Sequence, residues 1–313
     1  MFNQIIDANI NRASEGLRVI EEYVRFIAKH KNYTDQLSGI RKKLNKCIPQ
    51  TASLLSIRNT EQDMRAKEKP EKRESIHHVL TANFKRIQES LRVLEEYTGD
   101  VIFNECRYDI YELEKNISLS ALKKEIKPGI YLISDDPSIL KQGIAWGVSM
   151  IQLRDKHATK EELYQKAKEI KECNSTIPFV LNDYLDIVHA LDLDGLHTGQ
   201  DDINISIQRK ILGPHKIIGR TTHTITQGKE AEQAGADYVS IGPIWETPSK
   251  PGRKAIGYDY LKKARLKLTI PYVAIGGINY DSITKIIEHQ APLIGLIRGY
   301  KEIPKILKLL ETY

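Results

Sequence analysis

Two hydrophobic rhythms run along the chain, and they change over near residue 128. Before it, apolar residues recur every three or four positions: Leu17, Ile20, Val24 and Ile27 in one stretch, Leu91 and Leu94 in another. That spacing gathers them on one face of a helix and leaves charge on the other. It predicts helices over 7–23 and 81–97, with further helices over 35–47 and 103–122. The stretch between, 57–75, is polar and reads as a loop. From Pro128 short apolar runs alternate with amphipathic stretches, the pattern of strand–helix units. The predicted strands are 130–134, 149–154, 178–182, 194–197, 216–220, 236–241, 271–275 and 293–297. Helices fit between them, for example over 160–172 and 225–234, and 302–312 follows the last. Eight such units predict an α/β fold, a (β/α)8 TIM barrel. An open doubly wound sheet is the alternative, but it seldom needs eight evenly spaced repeats. The chain therefore divides into an all-α helical domain over 1–122 and a barrel domain over 128–313.

The helical part carries an internal repeat. Residues 7–23 read DANINRASEGLRVIEEY and residues 81–97 read TANFKRIQESLRVLEEY, offset by 81 minus 7, or 74, positions. Asn9, Arg12, Glu15, Arg18 and Glu22 recur as Asn83, Arg86, Glu89, Arg92 and Glu96. At spacings of three and four, Arg and Glu meet on one helix face. Intrahelical ion pairs account for this; so does a polar site shared by the two repeats, since Arg forks suit phosphate. Glycine is scarce here and no GxxxxGK[ST] is present, so a nucleotide would not sit in a P-loop.

In a barrel, chemistry gathers at the C-terminal ends of the strands. The predicted ends carry Gln152, Arg154 and Lys156; Asn182 and Asp183; His197, Gln200, Asp201 and Asp202; Thr221 and His223; Gly276 and Gly277; and Arg298 and Gly299. After the sixth strand comes Gly242–Gly252, a loop with three prolines that carries Thr247, Ser249 and Lys250. The predicted N-terminal ends show no comparable set. Lys156, Arg154 and Lys250 could neutralise a diphosphate. Asp183 and Asp202 are hard oxygen ligands suited to Mg2+ with phosphate oxygens, or else N-caps of helices over 184–191 and 203–212. His197 alone reads better as a satisfied core histidine than as a base.

Composition narrows the class. A hydrophobic content of 41% is enough for real cores, and a net charge of +6 is accounted for by a solvated surface or by anionic small molecules. No basic tract interleaved with aromatics marks a nucleic-acid surface. Cys47, Cys106 and Cys173 are far apart and lack a CxxC, which indicates neither a disulfide frame nor a zinc site and fits a reducing cytoplasm. No apolar run approaches membrane-spanning length. The expectation is a cytoplasmic protein with small-molecule partners and no nucleic-acid or membrane partner; a homo-oligomer is left open.

The barrel segments YLISD (131–135), IQLRDK (151–156), LND (181–183), DGLHTGQDD (194–202), the HT of GRTTHT (219–224), GADYVSIGPIWETPSKPG (235–252) and AIGGI (274–278) resemble thiamine-phosphate synthases. The resemblance implies joining of hydroxymethylpyrimidine diphosphate to hydroxyethylthiazole phosphate, or its carboxylated form, with release of pyrophosphate. It implies that Gln152, Arg154, Lys156, Asn182 and Lys250 hold the pyrimidine diphosphate. Asp183 and Asp202 would hold Mg2+, and Thr247, Pro248, Ser249, Gly277, Ile297 and Arg298 the thiazole phosphate. Arg154, Lys156, Lys250 and Thr221 would act in catalysis. Thr221 stands where the family usually has serine, and Leu293 and Arg298 replace the usual glycine and serine near the last strand. The helical repeat resembles a domain fused to such synthases and similar to hydroxymethylpyrimidine-phosphate kinases, which implies ATP as its partner. Two rivals remain: a thiazole tautomerase using His223 on the same barrel, and a non-catalytic metabolite-binding regulator.

Overall fold

The computed structural model describes residues 3–47, 72–174, 176–247, 252 and 254–312. Contacts divide the chain into two units, Met1–Leu122 and Lys123–Tyr313. Among the described residues, no helix is long and apolar enough to cross a membrane.

In the first unit the described helices are α1 (Asn3–Glu22), continued by a π-turn over Tyr23–Ile27, then α2 (Lys31–Cys47), α3 (Ile76–Thr98) and α4 (Val101–Ser120). Most of the predicted loop, 57–71, lies outside the described residues. Ser75 opens α3 by accepting a hydrogen bond from His78 N, and Gly99 ends it in a left-handed conformation. Asp100 then caps α4 through Ile102 N. The apolar stripes meet in one core of Leu17, Ile20, Phe84, Leu91, Phe103 and their neighbours. Gly16 lets α1 and α3 close together, since a Cβ there would stand 2.8 Å from Ile87 Cγ1. The repeat shows in the polar contacts too. Glu21 pairs with Arg41 at 3.0 Å, and its counterpart Glu95 pairs with Arg107 at 2.9 Å.

The second unit is a closed barrel of eight parallel strands in chain order. They are β1 (Gly129–Ser134), β2 (Met150–Leu153), β3 (Phe179–Asn182), β4 (Gly195–Thr198), β5 (Ile217–Thr222), β6 (Tyr238–Ile241), β7 (Tyr272–Ile275) and β8 (Leu293–Leu296). The helices are α5 (Pro137–Trp146), α6 (Lys160–Cys173), α7 (Leu185–Ala190), α8 (Ile205–Leu212), α9 (Ile225–Gln233), α10 (Asp259–Lys267), α11 (Ile283–Glu288) and α12 (Ile303–Leu310), with a 3-10 turn over Arg298–Glu302 before the last. Side chains alternate along each strand. One set, including Leu132, Ile151, Leu181, Leu196 and Val239, packs outward under the helices. The other set faces the lumen. Tyr131, Met150, Val180, Ile217, Tyr238, Val273 and Leu293 fill its lower part. Two positions further along their strands, Gln152, Asn182, Ser240 and Ile275 share that face, as does Thr221 four positions beyond Ile217, and they line a cavity at the C-terminal mouth. Gly219 makes room for a large ring in this layer: a Cβ there would lie 2.2 Å from Tyr238 Cζ.

The N-terminal ends of the strands hold charge after all, contrary to the sequence expectation. Asp237 takes Lys123 Nζ at 2.5 Å, Arg209 Nη2 at 2.6 Å and Ile218 N at 2.7 Å. Asp194 takes Lys124 Nζ at 2.8 Å and Phe179 N at 2.9 Å. These charges neutralise one another, so this end of the barrel is closed by its own chain. Asp237→Ala would leave two half-buried cations and one backbone donor without their acceptor. The expected loss is about 2–4 kcal/mol of stability, read as an earlier urea midpoint; a midpoint equal to wild type would refute the account.

Candidate active site

At the other end the cavity encloses about 690 Å3. It is lined by Gln152, Arg154, Lys156, Asn182, Asp183, Asp202, Thr221, Thr247, Gly277, Ile297 and Arg298, so the structure brings these expected site residues together. Pro248, Ser249 and Lys250 lie outside the described residues.

Each side chain is placed by its own loop. After β2, Asp155 accepts from His157 N, Ala158 N and Lys166 Nζ, at 2.9, 3.0 and 2.7 Å. Its carboxyl is held below the usual range chiefly by Lys166, so it stays charged and shapes the turn that carries Arg154 and Lys156. After β3, Asp183 has φ +67°, a left-handed conformation uncommon for a residue with a side chain. It does not cap α7, whose first turn has no side-chain cap. After β4, Asp202 Oδ2 accepts from Gly199 N at 2.7 Å. It does not cap α8 either, because Asn204 does so through Ser206 N. Both cap readings therefore fail, and both carboxylates are left facing the cavity.

The β4–α8 loop is tied down by a residue to which sequence reasoning gave no role. Arg220, buried on the outward side of β5, donates to Gly199 O and to Ile203 O, the latter at 2.8 Å. Gln200 reaches Thr221 O from the same loop. Asp202 is thus fixed opposite Asp183. The signal in the sequence was a charged residue inside an apolar strand, which needs a partner when buried.

The Asp183 carboxyl is raised above its ordinary value, first by burial and then by the charge of Asp202, with Lys156 and Arg154 opposing. Asp183 is exposed to the cavity, so solvent screens these interactions and the upward push is modest. A pair of this kind fits a divalent cation. Among the described residues no three His, Cys, Asp or Glu gather into a metal cage. Two carboxylates with ligand oxygens and water suit Mg2+, which dehydrates reluctantly.

Opposite lies an anion corner. Gly276 and Gly277 have φ +102° and +71°, and a Cβ on either would come within 2.7 Å of the loop after β6. Only glycine allows this backbone to approach so closely. Arg298 is exposed beside them. It forms no ion pair with Glu302, whose Oε2 instead accepts from Tyr280 N at 3.0 Å. Among the described residues Arg154, Lys156 and Arg298 enter no ion pair, in contrast to the paired charges at the opposite end. His223 Nδ1 donates to Gly242 O at 2.8 Å. His197 is the satisfied core histidine expected, with partners at both ring nitrogens. Sequence reasoning missed Tyr131, Tyr238 and Ser240, which join it beneath the cavity.

The helical unit presents less. Arg18 pairs with Glu22 and Arg92 with Glu96, each along its own helix, as the ion-pair reading holds. Asn9 and Asn83 are buried and donate to Ile5 O and Val79 O, both at 2.8 Å.

Both units are similar to known proteins. A family model described as thiamine monophosphate synthase matches residues 130–300, more than half of the chain, and the ThiD2 family matches residues 4–116. A thiamine-phosphate synthase of Prochlorococcus marinus is 39% identical, covering 95% of this chain and 91% of the relative. One from Thermosynechococcus vestitus is 35% identical over 95% of this chain and 90% of its own length. A solved thiamine phosphate pyrophosphorylase from Pyrococcus furiosus is 28% identical with a TM-score of 0.53, covering 60% of this chain and 97% of its own.

The raised Asp183 carboxyl makes a stability prediction. A carboxyl raised by folding costs nothing below its unfolded value near 3.8, where both states hold the proton, and costs most above its folded value. Asp183→Asn should therefore melt about 1–2 °C above wild type at pH 7, a gain kept small by solvent access. The gain should vanish as pH falls toward the unfolded value. A lower melting temperature at pH 7 would contradict the assignment.

Proposed function

The chain belongs to the thiamine monophosphate synthase family, and we propose that its barrel unit joins 4-amino-2-methyl-5-(diphosphooxymethyl)pyrimidine to 4-methyl-5-(2-phosphooxyethyl)thiazole, giving thiamine phosphate and pyrophosphate, or to the carboxylated form of that thiazole, which leaves its carboxyl group as carbon dioxide. One observation carries the reading: the cavity sets Arg154, Lys156 and Arg298, which enter no ion pair among the described residues, around the carboxylates of Asp183 and Asp202 and two close-packed glycines. That is room for two anions and a cation.

In this reading the bond between the pyrimidine methylene carbon and the diphosphate oxygen breaks, and its electron pair leaves with pyrophosphate. The lone pair of the thiazole nitrogen forms the new carbon–nitrogen bond. The electron-rich aminopyrimidine supports the methylene cation between the two events. Arg154 and Lys156, with Lys250 of the loop after the sixth strand, stabilise the charge that develops on the departing group. Asp183 and Asp202 would hold Mg2+, which when bound supplies further positive charge there. Gln152, Asn182 and Thr221 orient the pyrimidine. Gly277, Thr247, Pro248, Ser249, Ile297 and Arg298 hold the thiazole phosphate near the methylene carbon, so that proximity supplies much of the rate. No side-chain nucleophile is needed. The separated cysteines support a cytoplasmic setting.

For the helical unit the reading is phosphorylation of hydroxymethylpyrimidine phosphate by ATP, which makes the diphosphate that the barrel consumes. The match to the ThiD2 family and the repeat motif support it; no glycine-rich phosphate loop does.

Purified protein given Mg2+ and both phosphorylated substrates should release thiamine phosphate and pyrophosphate in equal amounts. No product would overturn the barrel reading, and isomerisation of a thiazole phosphate would favour the tautomerase. Asp202→Ala should lose about two to three orders of magnitude in turnover without unfolding, and full activity would remove the metal assignment. Arg298→Ala should raise the Michaelis constant for the thiazole phosphate about ten- to hundredfold, the scale of a charge-assisted hydrogen bond. The constant for the pyrimidine diphosphate should hardly move. Unchanged thiazole phosphate kinetics would place that anion elsewhere.

A further inference from the structure

A hydrogen-bonded chain crosses the barrel beneath the cavity. Gln152 Nε2 donates to Tyr131 Oη at 2.6 Å. Tyr131 Oη and Tyr238 Oη are 2.7 Å apart, and Tyr238 Oη lies 2.8 Å from His197 Nδ1. His197 Nε2 lies 3.0 Å from Thr221 Oγ1, which also accepts from Ser240 Oγ at 3.3 Å. The path runs from β2 through β1, β6 and β4 to β5. The two tyrosine rings meet edge to face at 5.8 Å, and His197 stacks on Tyr238 at 5.4 Å. All but half-buried Thr221 are buried. Burial raises both phenols, so they keep their hydrogens.

A chain in which each link shares one hydrogen has two consistent polarities. In one, Gln152 donates to Tyr131, Tyr131 to Tyr238, Tyr238 to His197 Nδ1, and His197 Nε2–H to Thr221. Gln152 then keeps its carbonyl oxygen as an acceptor, and Thr221 keeps its hydroxyl hydrogen to give. In the other, every link reverses, and the two ends exchange roles. Both end residues line the cavity. They cannot change independently: one accepts when the other donates. The Gln152 nitrogen faces Tyr131 and also interacts with Tyr238. Two amide hydrogens can serve two phenol oxygens. A carbonyl oxygen turned there would gain only the Tyr131 hydrogen, because that of Tyr238 would be committed to Tyr131. The first polarity is therefore favoured.

We infer that this relay sets the ring selectivity of the site: accepting at Gln152 and donating at Thr221, it takes a pyrimidine with an amino donor and bare ring nitrogens, and rejects its oxo counterpart. The oxo ring presents an accepting oxygen and a protonated ring nitrogen, the inverse pattern. Without the relay, an amide can flip and a hydroxyl can rotate to follow either ligand. With it, a switch must turn the whole buried chain, and specificity comes from the pairing lost. Tyr131, Tyr238 and His197 are positioning residues. The inference rests on the reading that the barrel holds a pyrimidine diphosphate.

The test compares kcat/KM for the aminopyrimidine diphosphate and its 4-oxo analogue. Wild type should favour the amino substrate by about a hundredfold or more. Tyr238→Phe and Tyr131→Phe keep the rings and cut the relay, and each should reduce that ratio at least about tenfold. The double variant should lose little more than either alone, since both cut one unit. Inhibition by inorganic pyrophosphate should stay unchanged, because the diphosphate groups are untouched. Tyr260→Phe, which removes another buried hydroxyl contact, to Thr222 Oγ1 at 2.7 Å, should leave the ratio as in wild type. Folded Tyr238→Phe with wild-type discrimination would overturn the relay. So would an equal loss of ratio in Tyr260→Phe. If wild type neither binds nor turns over the aminopyrimidine diphosphate, by calorimetry and assay, the functional reading fails and the relay's role fails with it.

Discussion

A four-residue strand in a closed barrel has two positions that face the lumen, and the molecule depends on how these are divided. The lower ones must close the lumen, because an unfilled barrel would lose the packing that holds its strands together. Met150, Val180, Ile217, Val273 and Leu293 do so. The upper ones then become the floor of the cavity, and there Gln152, Asn182, Thr221 and Ser240 are polar. Tyr131 and Tyr238 belong to both levels. Their rings complete the apolar plug, and their hydroxyls are the first members of the polar layer. Gly219 is part of the same solution, since any side chain on it would occupy the place of the Tyr238 ring.

Charge is divided along the same axis. At the N-terminal ends Asp237 and Asp194 are saturated by Lys123, Arg209 and Lys124. At the mouth the cations Arg154, Lys156 and Arg298 have no ion-pair partner among the described residues, and Asp183 and Asp202 repel each other. Left to itself, such a mouth costs stability; an anion-bound cation would offset that cost. Asp183 adds backbone strain, since it holds a carboxylate at φ +67° where glycine would rest more easily. Strain and self-repulsion concentrated in one place are the physical mark of a site built for a ligand rather than for the fold.

The barrel was legible because its signals are local. Runs such as IYLIS and ADYVSI state a strand by themselves, and the strand ends follow. The candidate residues at those ends were legible for the same reason: each directly follows a strand. What was hidden depends on distance through space. Tyr131 and Tyr238 read as core members of apolar runs, and nothing in their spacing tells that β1 and β6 bring their hydroxyls within 2.7 Å. Lys123 and Arg209 meet at Asp237 from opposite ends of the unit's first half, which is why the charge at the N-terminal ends went unread. Local reasoning also overreached at Asp183 and Asp202. Both stand just before helices, where a carboxylate suits a cap, but the chain places Asn204 at the start of α8 and leaves both acids to the cavity.

The helical unit shows the same contrast from the other side. Its repeat places Arg and Glu at spacings that can pair locally, and Arg18 with Glu22 and Arg92 with Glu96 do pair. Glu21 and Glu95 are spent on Arg41 and Arg107 of the following helices. The other repeated charges, Arg12, Glu15, Arg86 and Glu89, are exposed and solvated. The asparagines differ. Asn9 and Asn83 are buried in both repeats, and each spends its amide hydrogen on a carbonyl four residues earlier. A side chain that bonds its own helix adds little that alanine could not replace. What distinguishes Asn83 is its remaining oxygen, which is buried with no partner. An unpaired buried acceptor costs about 1–3 kcal/mol, a cost that no hydrogen bond among the described residues offsets at the Asn83 oxygen.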